Sequence, residues 1–372
     1  MSSNLFSQAE IDRLPTILDV VEQISAEENK IALHFVSQIP SPEHLDEGRY
    51  MYVSEHKDRN VVRLMPTSQS PFKYYRGQSK YHTPCVPSLF RSKKAGELPT
   101  TEDIAERLIK VCEFVLLLVQ HPVYRIVSQN IMVDSVALAQ HYGLATEYLD
   151  ITNSKWVAAF FASTRYDSET DTYYPVGRDY DDGFGVMYIS KDFNRGELPK
   201  EFFDKNGVIG YQYFERPTKQ SSFGYGLLIG EDFNESPYFN KVFFRHDIEA
   251  STIVYNMSYR QNRFIPKDEL SKLANKILVS TIVTRRAVDL CRCNYFYDRN
   301  ERFLDDICMK KGLTIREDNT PIADFEKTIL ESDLKHWMEF GRYDLESRIL
   351  PIVPVTTVNL GNRNDKNSKL YE

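Results

Sequence analysis

The stretch from Leu138 to Ser163 constrains the fold more than any other part of the sequence, because it changes structural type repeatedly within a few residues. Leu138-Ala139-Gln140-His141-Tyr142 reads as the end of a helix that Gly143 stops. A short strand follows, then the polar turn Thr152-Asn153, then a helix carrying Trp156, Ala159, Phe160 and Ser163 on one face. Val157 and Phe161 are apolar on the other side, so this helix is expected to be buried nearly all round.

The rest of the chain is read from periodicity and punctuation. A first helix is expected from about Ile17 to Ile24. A short strand over 73–76 should break at Gly77. Thr101 to Gln120 reads as a long helix, capped by Thr100 or Thr101, with Glu102 and Asp103 favourable at the positive end of its dipole. A helix at 134–142 leads to Gly143. Residues 166–183 form an acidic, tyrosine-rich excursion, read as a surface loop or hairpin tip. Strands are expected at 185–189, 208–213, 225–229 and 252–255. Helices dominate afterwards, at 267–279, 284–290, 301–311 and 323–339, with a returning strand at 350–355. This pattern is an α+β fold, a mixed and largely antiparallel sheet flanked by helices, with a helical C-terminal part. The expected division is a domain over 15–280, a helical extension over 281–358 packed on it, and a disordered tail over 359–372.

Charge and motifs exclude several functions. The 372 residues carry 46 basic and 53 acidic side chains, a net charge of −7. That lacks the basic surplus of a polyphosphate or nucleic-acid binder, so nucleic acid is not an expected partner. The five cysteines are scattered, and the Cys291-x-Cys293 spacing is too close for a zinc knuckle, so reduced thiols and no metal are expected. The longest apolar runs fall far short of the ~20 residues of a membrane span. No secretory leader is apparent, and a cytoplasmic location is expected. The usual phosphate-cradling loops, the nucleophile elbow and the zinc-protease motif are missing.

Three segments remain as candidates for chemistry. In Tyr74-Tyr75-Arg76-Gly77-Gln78, followed by Pro87-Ser88-Leu89-Phe90-Arg91, an arginine at a strand end could grip an anion bidentately. A salt bridge across a turn is the plain alternative. In the 138–153 block, backbone N–H groups at the helix start, with Asp150 and Thr152, could hold a polar ligand. Simple capping explains the same residues, and His141 fits a helix-end histidine satisfied by a carbonyl. The third segment, Glu215 to Gly224, brings acidic, basic and amide groups together or is a surface loop.

The YRGQ strand end, the PSLFR after it, the LAQHYGL-x-T-x-x-LD-x-T block and the later Arg216-x-x-x-Gln220 together resemble the FRG domain family, named for its (Phe/Tyr)-Arg-Gly motif. The order of these motifs matches over about residues 15 to 280. The family commonly continues its block as PTRLLDW; here Ala145, Glu147 and Ile151 stand in place of Pro, Arg and Trp. The layout is in turn similar to ADP-ribosyltransferases, which implies NAD as substrate and cleavage of its nicotinamide–ribose bond, in a bacterial toxin or antiviral setting. By that resemblance Arg76, Gln220 and Glu215 form the catalytic set. Arg76 would grip the NAD phosphates or ribose, and Glu215 or Gln220 would stabilise the oxocarbenium ion. Asp150 and Thr152 would sit at the nicotinamide ribose, with Tyr75, Gly77, Gln78 and His141 completing the cofactor-binding residues. The partner would be a small nucleotide or a protein acceptor. A non-catalytic ligand- or partner-binding module acting as a sensor is the alternative.

Overall fold

The computed structural model describes residues 5–35, 49–54, 62–67, 73–92, 94, 96–129, 133–191, 206–207, 214–258, 260, 262–265, 268–317, 330–331 and 334–335. The strands expected at 208–213 and 350–355, most of the helix expected at 323–339, and the tail from 359 lie outside the described residues.

Two compact units share the chain. The first takes Met1–Gly48, Pro66–Phe90 and Glu147–Asp268. Its centre is a six-stranded sheet made of β1 (Tyr75–Gln78), β2 (Tyr148–Thr152), β3 (Phe184–Ser190), β4 (Asn206–Gly207), β5 (Ser222–Gly226) and β6 (Phe239–Arg245). Their order across the sheet is β6-β3-β1-β2-β5-β4, and every pairing is antiparallel. The fold is therefore α+β with an antiparallel sheet, as the sequence pattern predicts.

One face of the sheet is closed by the helices Ile17–Phe35, Lys155–Ser163 and Ile248–Met257. Ile17, Val20, Val21 and Ile24 meet Val157, Ala158, Phe160 and Ala162, with Ala250 and Val254 beside them and Tyr75, Met187 and Phe244 beneath. Lys155–Ser163 is short and rich in alanine, so its backbone can lie close on the sheet while its aromatic rings fill the flanks. Ser154 caps it by accepting from Val157 N–H. The opposite face is covered by an aromatic cluster in which Phe233 lies 5.0 Å from Tyr188, 5.2 Å from Tyr225 and 4.8 Å from Phe239, centroid to centroid.

Of the excursion expected over 166–183 as a surface loop or hairpin tip, the first part belongs to a hairpin, Thr164–Asp167 paired with Thr172–Pro175, and the rest has no strand before Phe184. Three expectations need correction. Residues 252–255 are helical, within Ile248–Met257: Asp247 caps that helix by accepting from Ala250 N–H, and Ala250 and Val254 reach the core at helical spacing. The β-branched run Thr252-Ile253-Val254 favours a strand by composition alone, and the cap decides otherwise. The strand expected at 225–229 lies at Ser222–Gly226, and Leu228 and Ile229 are exposed in the turn beyond it. The helix expected from Ile17 to Ile24 runs on to Phe35, and a shorter helix, Gln8–Arg13, precedes it.

The second unit takes Arg49–Met65, Arg91–Thr146 and Glu269–Glu372. Its described part gathers around the helix Thr101–Gln120, which Thr100 caps through Asp103 N–H in a capping box. The helices Ser135–His141, Glu269–Val279, Arg285–Tyr295 and Phe303–Lys310 pack against it. Ile282–Thr284 and Thr314–Arg316 pair in parallel beside them. Glu113, buried in the middle of the long helix, accepts the Thr284 N–H at the start of Arg285–Tyr295. A carboxylate there satisfies an orphan donor and complements the helix dipole.

Candidate functional site

Alternation along β1 distributes the Tyr-Arg-Gly motif over both faces of the sheet. Tyr75 points to the helix face, fully buried, and its hydroxyl donates to Glu28 Oε1 at 2.7 Å. Gly77 shares that face, and the strand does not break there: it runs on to Gln78. The glycine serves close packing. A Cβ at position 77 would coincide with the Ala158 carbonyl oxygen and lie 2.9 Å from Ala162 Cβ, so only glycine lets the helix Lys155–Ser163 lie on β1.

Arg76 and Gln78 point to the other face. Arg76 stands opposite Tyr188 in the register. It is partly exposed, and its Nη1 donates to the Asp150 main-chain oxygen at 2.6 Å. Among the described residues that is the one hydrogen bond of its side chain, and the Nε atom is buried without a partner. Among the described residues Arg76 pairs with no carboxylate, so the alternative of a salt bridge across a turn is not seen among them. Gln78 is buried and accepts from Cys85 Sγ at 3.6 Å.

Thr152 and Gln220 come together on the helix side, and both are committed to structure. Thr152 Oγ1 donates to the Gln220 main-chain oxygen at 2.7 Å and accepts from Ser154 N–H at 3.0 Å. The Gln220 amide donates to the Phe264 carbonyl at 2.9 Å and accepts from Ser222 Oγ at 3.4 Å. Asp150, in line with Thr152 on β2, is half-buried. It and Arg216 act electrostatically on Tyr173, whose hydroxyl burial pushes up to about 12. Glu215 begins the short helix Glu215–Lys219, which replaces the expected loop; its side chain lies outside the described residues.

His141 belongs to the second unit, as the last residue of the helix Ser135–His141. There the 138–146 block proves to be a helix ending. Gly143, at φ +85°, follows the C-cap Tyr142; Leu144 N–H returns to Ala139 O at 3.1 Å and Gly143 N–H to Gln140 O at 3.0 Å, a Schellman motif. Thr146 Oγ1 donates to Gln140 Oε1 at 2.8 Å, and Tyr142 packs on Phe114 at 5.6 Å.

The face that carries Arg76 has a polar network that sequence reasoning missed. Tyr188 OH donates to Asn234 Oδ1 at 2.7 Å, and Asn234 Nδ2 donates to the His82 carbonyl at 2.9 Å. Asp232 Oδ1 accepts from both Cys85 N–H and Asn234 N–H, and Phe233 N–H donates to Cys85 O. Burial raises the Tyr188 hydroxyl well above the usual phenol range. The signal was present in Asp232-Phe233-Asn234, because an aspartate two residues before another polar group commonly closes a local turn.

Among the described residues no group of three His, Cys, Asp or Glu gathers as a metal centre, and no helix is long and apolar enough to cross a membrane. Cys85, Cys112, Cys291, Cys293 and Cys308 are all free thiols.

Fold and residues together define an antiparallel α+β unit with a helix pressed on a strand glycine and an arginine on the reverse face. The chain carries an FRG domain: the model of that family matches residues 72–171. The match takes in the YRGQ strand and the LAQHYGL block and stops before the Arg216-x-x-x-Gln220 segment. No curated protein and no solved structure matches the chain.

Proposed function

We propose that the unit that carries the Tyr-Arg-Gly strand captures a small anionic nucleotide, with NAD as the candidate, and that Arg76 is its anchor. One observation carries this reading. A guanidinium is half-sunk in the sheet and, among the described residues, is held by a single main-chain carbonyl, with Nε turned to no acceptor. Charges so placed normally meet a counter-charge. A phosphate or carboxylate oxygen supplies one, while the Asp150 carbonyl fixes the side chain in advance. Capture fits the geometry better than bond cleavage, because the Thr152 hydroxyl and the Gln220 amide already have main-chain partners. That favours a sensor over a fast transferase, with Glu215 the carboxylate to examine if turnover occurs.

The test is calorimetric titration of the whole chain with NAD, beside Arg76→Ala and Arg76→Lys, with free nicotinamide assayed in the same samples. Loss of a charge-assisted contact should weaken binding about 10- to 100-fold in Arg76→Ala and less in Arg76→Lys. Nicotinamide release that disappears in Arg76→Ala would replace capture by catalysis. Absence of binding, or binding equal in wild type and Arg76→Ala, would remove Arg76 as the anchor.

A further inference from the structure

His246 lies just past β6, 1% exposed, where three segments meet. Its Nε2 bonds the Ser79 main-chain oxygen at 2.8 Å, one residue beyond the strand that carries Arg76. Its own N–H donates to Gly183 O at 2.9 Å, and the Tyr180 and Phe244 rings meet its imidazole edge-on, each at 5.7 Å. Because a carbonyl accepts from Nε2, that nitrogen holds the proton, and Nδ1 is a buried lone pair without a hydrogen bond. The same joint is bridged on the outside by Lys80 Nζ and Asp181 Oδ1 at 2.6 Å.

We propose that His246 is an acid-sensitive latch: protonating its buried ring releases the turn 177–183 from the end of β1. A second proton would place a full charge in a site closed by Phe244 and Tyr180, where solvent cannot reach it. The groups that face the ring or flank the joint are Lys80 after β1, Tyr180, Asp181 and Asp182 from the turn, and Arg245 and Asp247 beside His246 in sequence. Of these Asp181 favours the charged ring, but it is already held by Lys80. The Ser79 and Phe184 carbonyls favour it too, yet burial outweighs them and lowers the pKa of His246 from its ordinary 6.5. The sign follows. A folded-state value below the unfolded one gives stability that is complete above about 6.5 and is lost as pH falls below it. The turn is prepared to part: Asp181 and Gly183 have φ of +50° and +79°, so its shape depends on the contacts that hold it.

Hydrogen–deuterium exchange of the whole chain between pH 7.5 and 5, corrected for the intrinsic pH dependence of exchange, tests the latch. Peptides covering 79–82 and 177–183 should lose protection about tenfold per unit of pH while the helix Thr101–Gln120 keeps its own. His246→Gln, which keeps a donor for Ser79 and cannot titrate, should hold protection constant over the range. Asp181→Asn, at the surface, removes a charge that favours the protonated ring, so it should deepen the acid loss without moving its onset, and it serves if the glutamine variant fails to fold. Uniform protection in the wild type would overturn the proposal. So would an acid loss unchanged in His246→Gln and Asp181→Asn.

Discussion

The two motifs that carry the family resemblance behave differently once folded. In the 138–146 block the unusual residues have internal reasons to be where they are: Gly143 takes the left-handed position after the helix, Gln140 and Thr146 bond each other, and Tyr142 packs on Phe114. In the YRG strand, Tyr75 and Gly77 are likewise structural, one filling the core and the other admitting a helix. Arg76 is the exception, charged and, among the described residues, without a carboxylate. A motif residue can thus be retained in a chain because the fold needs it, and the one that the fold does not satisfy is the one to test for ligand.

That contrast can be broken by substitution. The largest effect should come from Gly77→Val, which drives a branched side chain into the Ala158 backbone; we expect a loss of about 3 kcal/mol or more, measured by urea denaturation. A tolerated valine would mean that the helix Lys155–Ser163 does not rest on β1 as described. Gly143→Ala should cost about 1–2 kcal/mol, because φ +85° is closed to a Cβ, and it should leave nucleotide binding unchanged. Thr100→Ala, which removes the cap of the long helix and half of its capping box, should cost about 1 kcal/mol. Arg76→Ala should be the mildest in the same denaturation series while weakening capture of NAD about 10- to 100-fold. If it destabilised the protein as much as Gly77→Val, Arg76 would be a structural residue like its neighbours.

Much of the scaffold was legible because its signals are local. Thr100 with Asp103, the run to Gln120, and Gly143 after a helical block define their elements within a few residues. The strand at 252–255 was misread because β-branched composition was weighed above the Asp247 cap. Gly77 was misread as a break because its reason is a helix more than 80 residues later in the chain, which no local pattern contains. The candidate site was legible as a set of residues and not as an arrangement. Alternation on β1 puts Arg76 and Thr152 on opposite faces, and that depends on pairing with β2 and β3, which spacing along the chain does not encode. In the Tyr188–Asn234–His82 network only the local Asp232-Phe233-Asn234 turn was legible; its partners Tyr188 and His82 were not, for the same reason.

The discontinuity of the two units has a consequence for anyone who would cut the protein. The chain passes from one unit to the other after residues 48, 65, 90, 146 and 268. The segment that matches the FRG family, 72–171, contains β1 and β2 but not β3, β5 or β6, and it also contains the long helix of the second unit. Excised at those bounds it would leave β1 without its neighbour β3, and β2 without β5, exposing hydrogen-bonding edges that invite aggregation. Folding faces the same demand in time. The Ile17–Phe35 helix emerges early, yet it finds its core partners Ala250 and Val254 only after most of the chain has been made. Such separations slow folding and prolong the exposure of unpaired strands, so whole-chain synthesis, and not a trimmed domain, is the route to material for every measurement above.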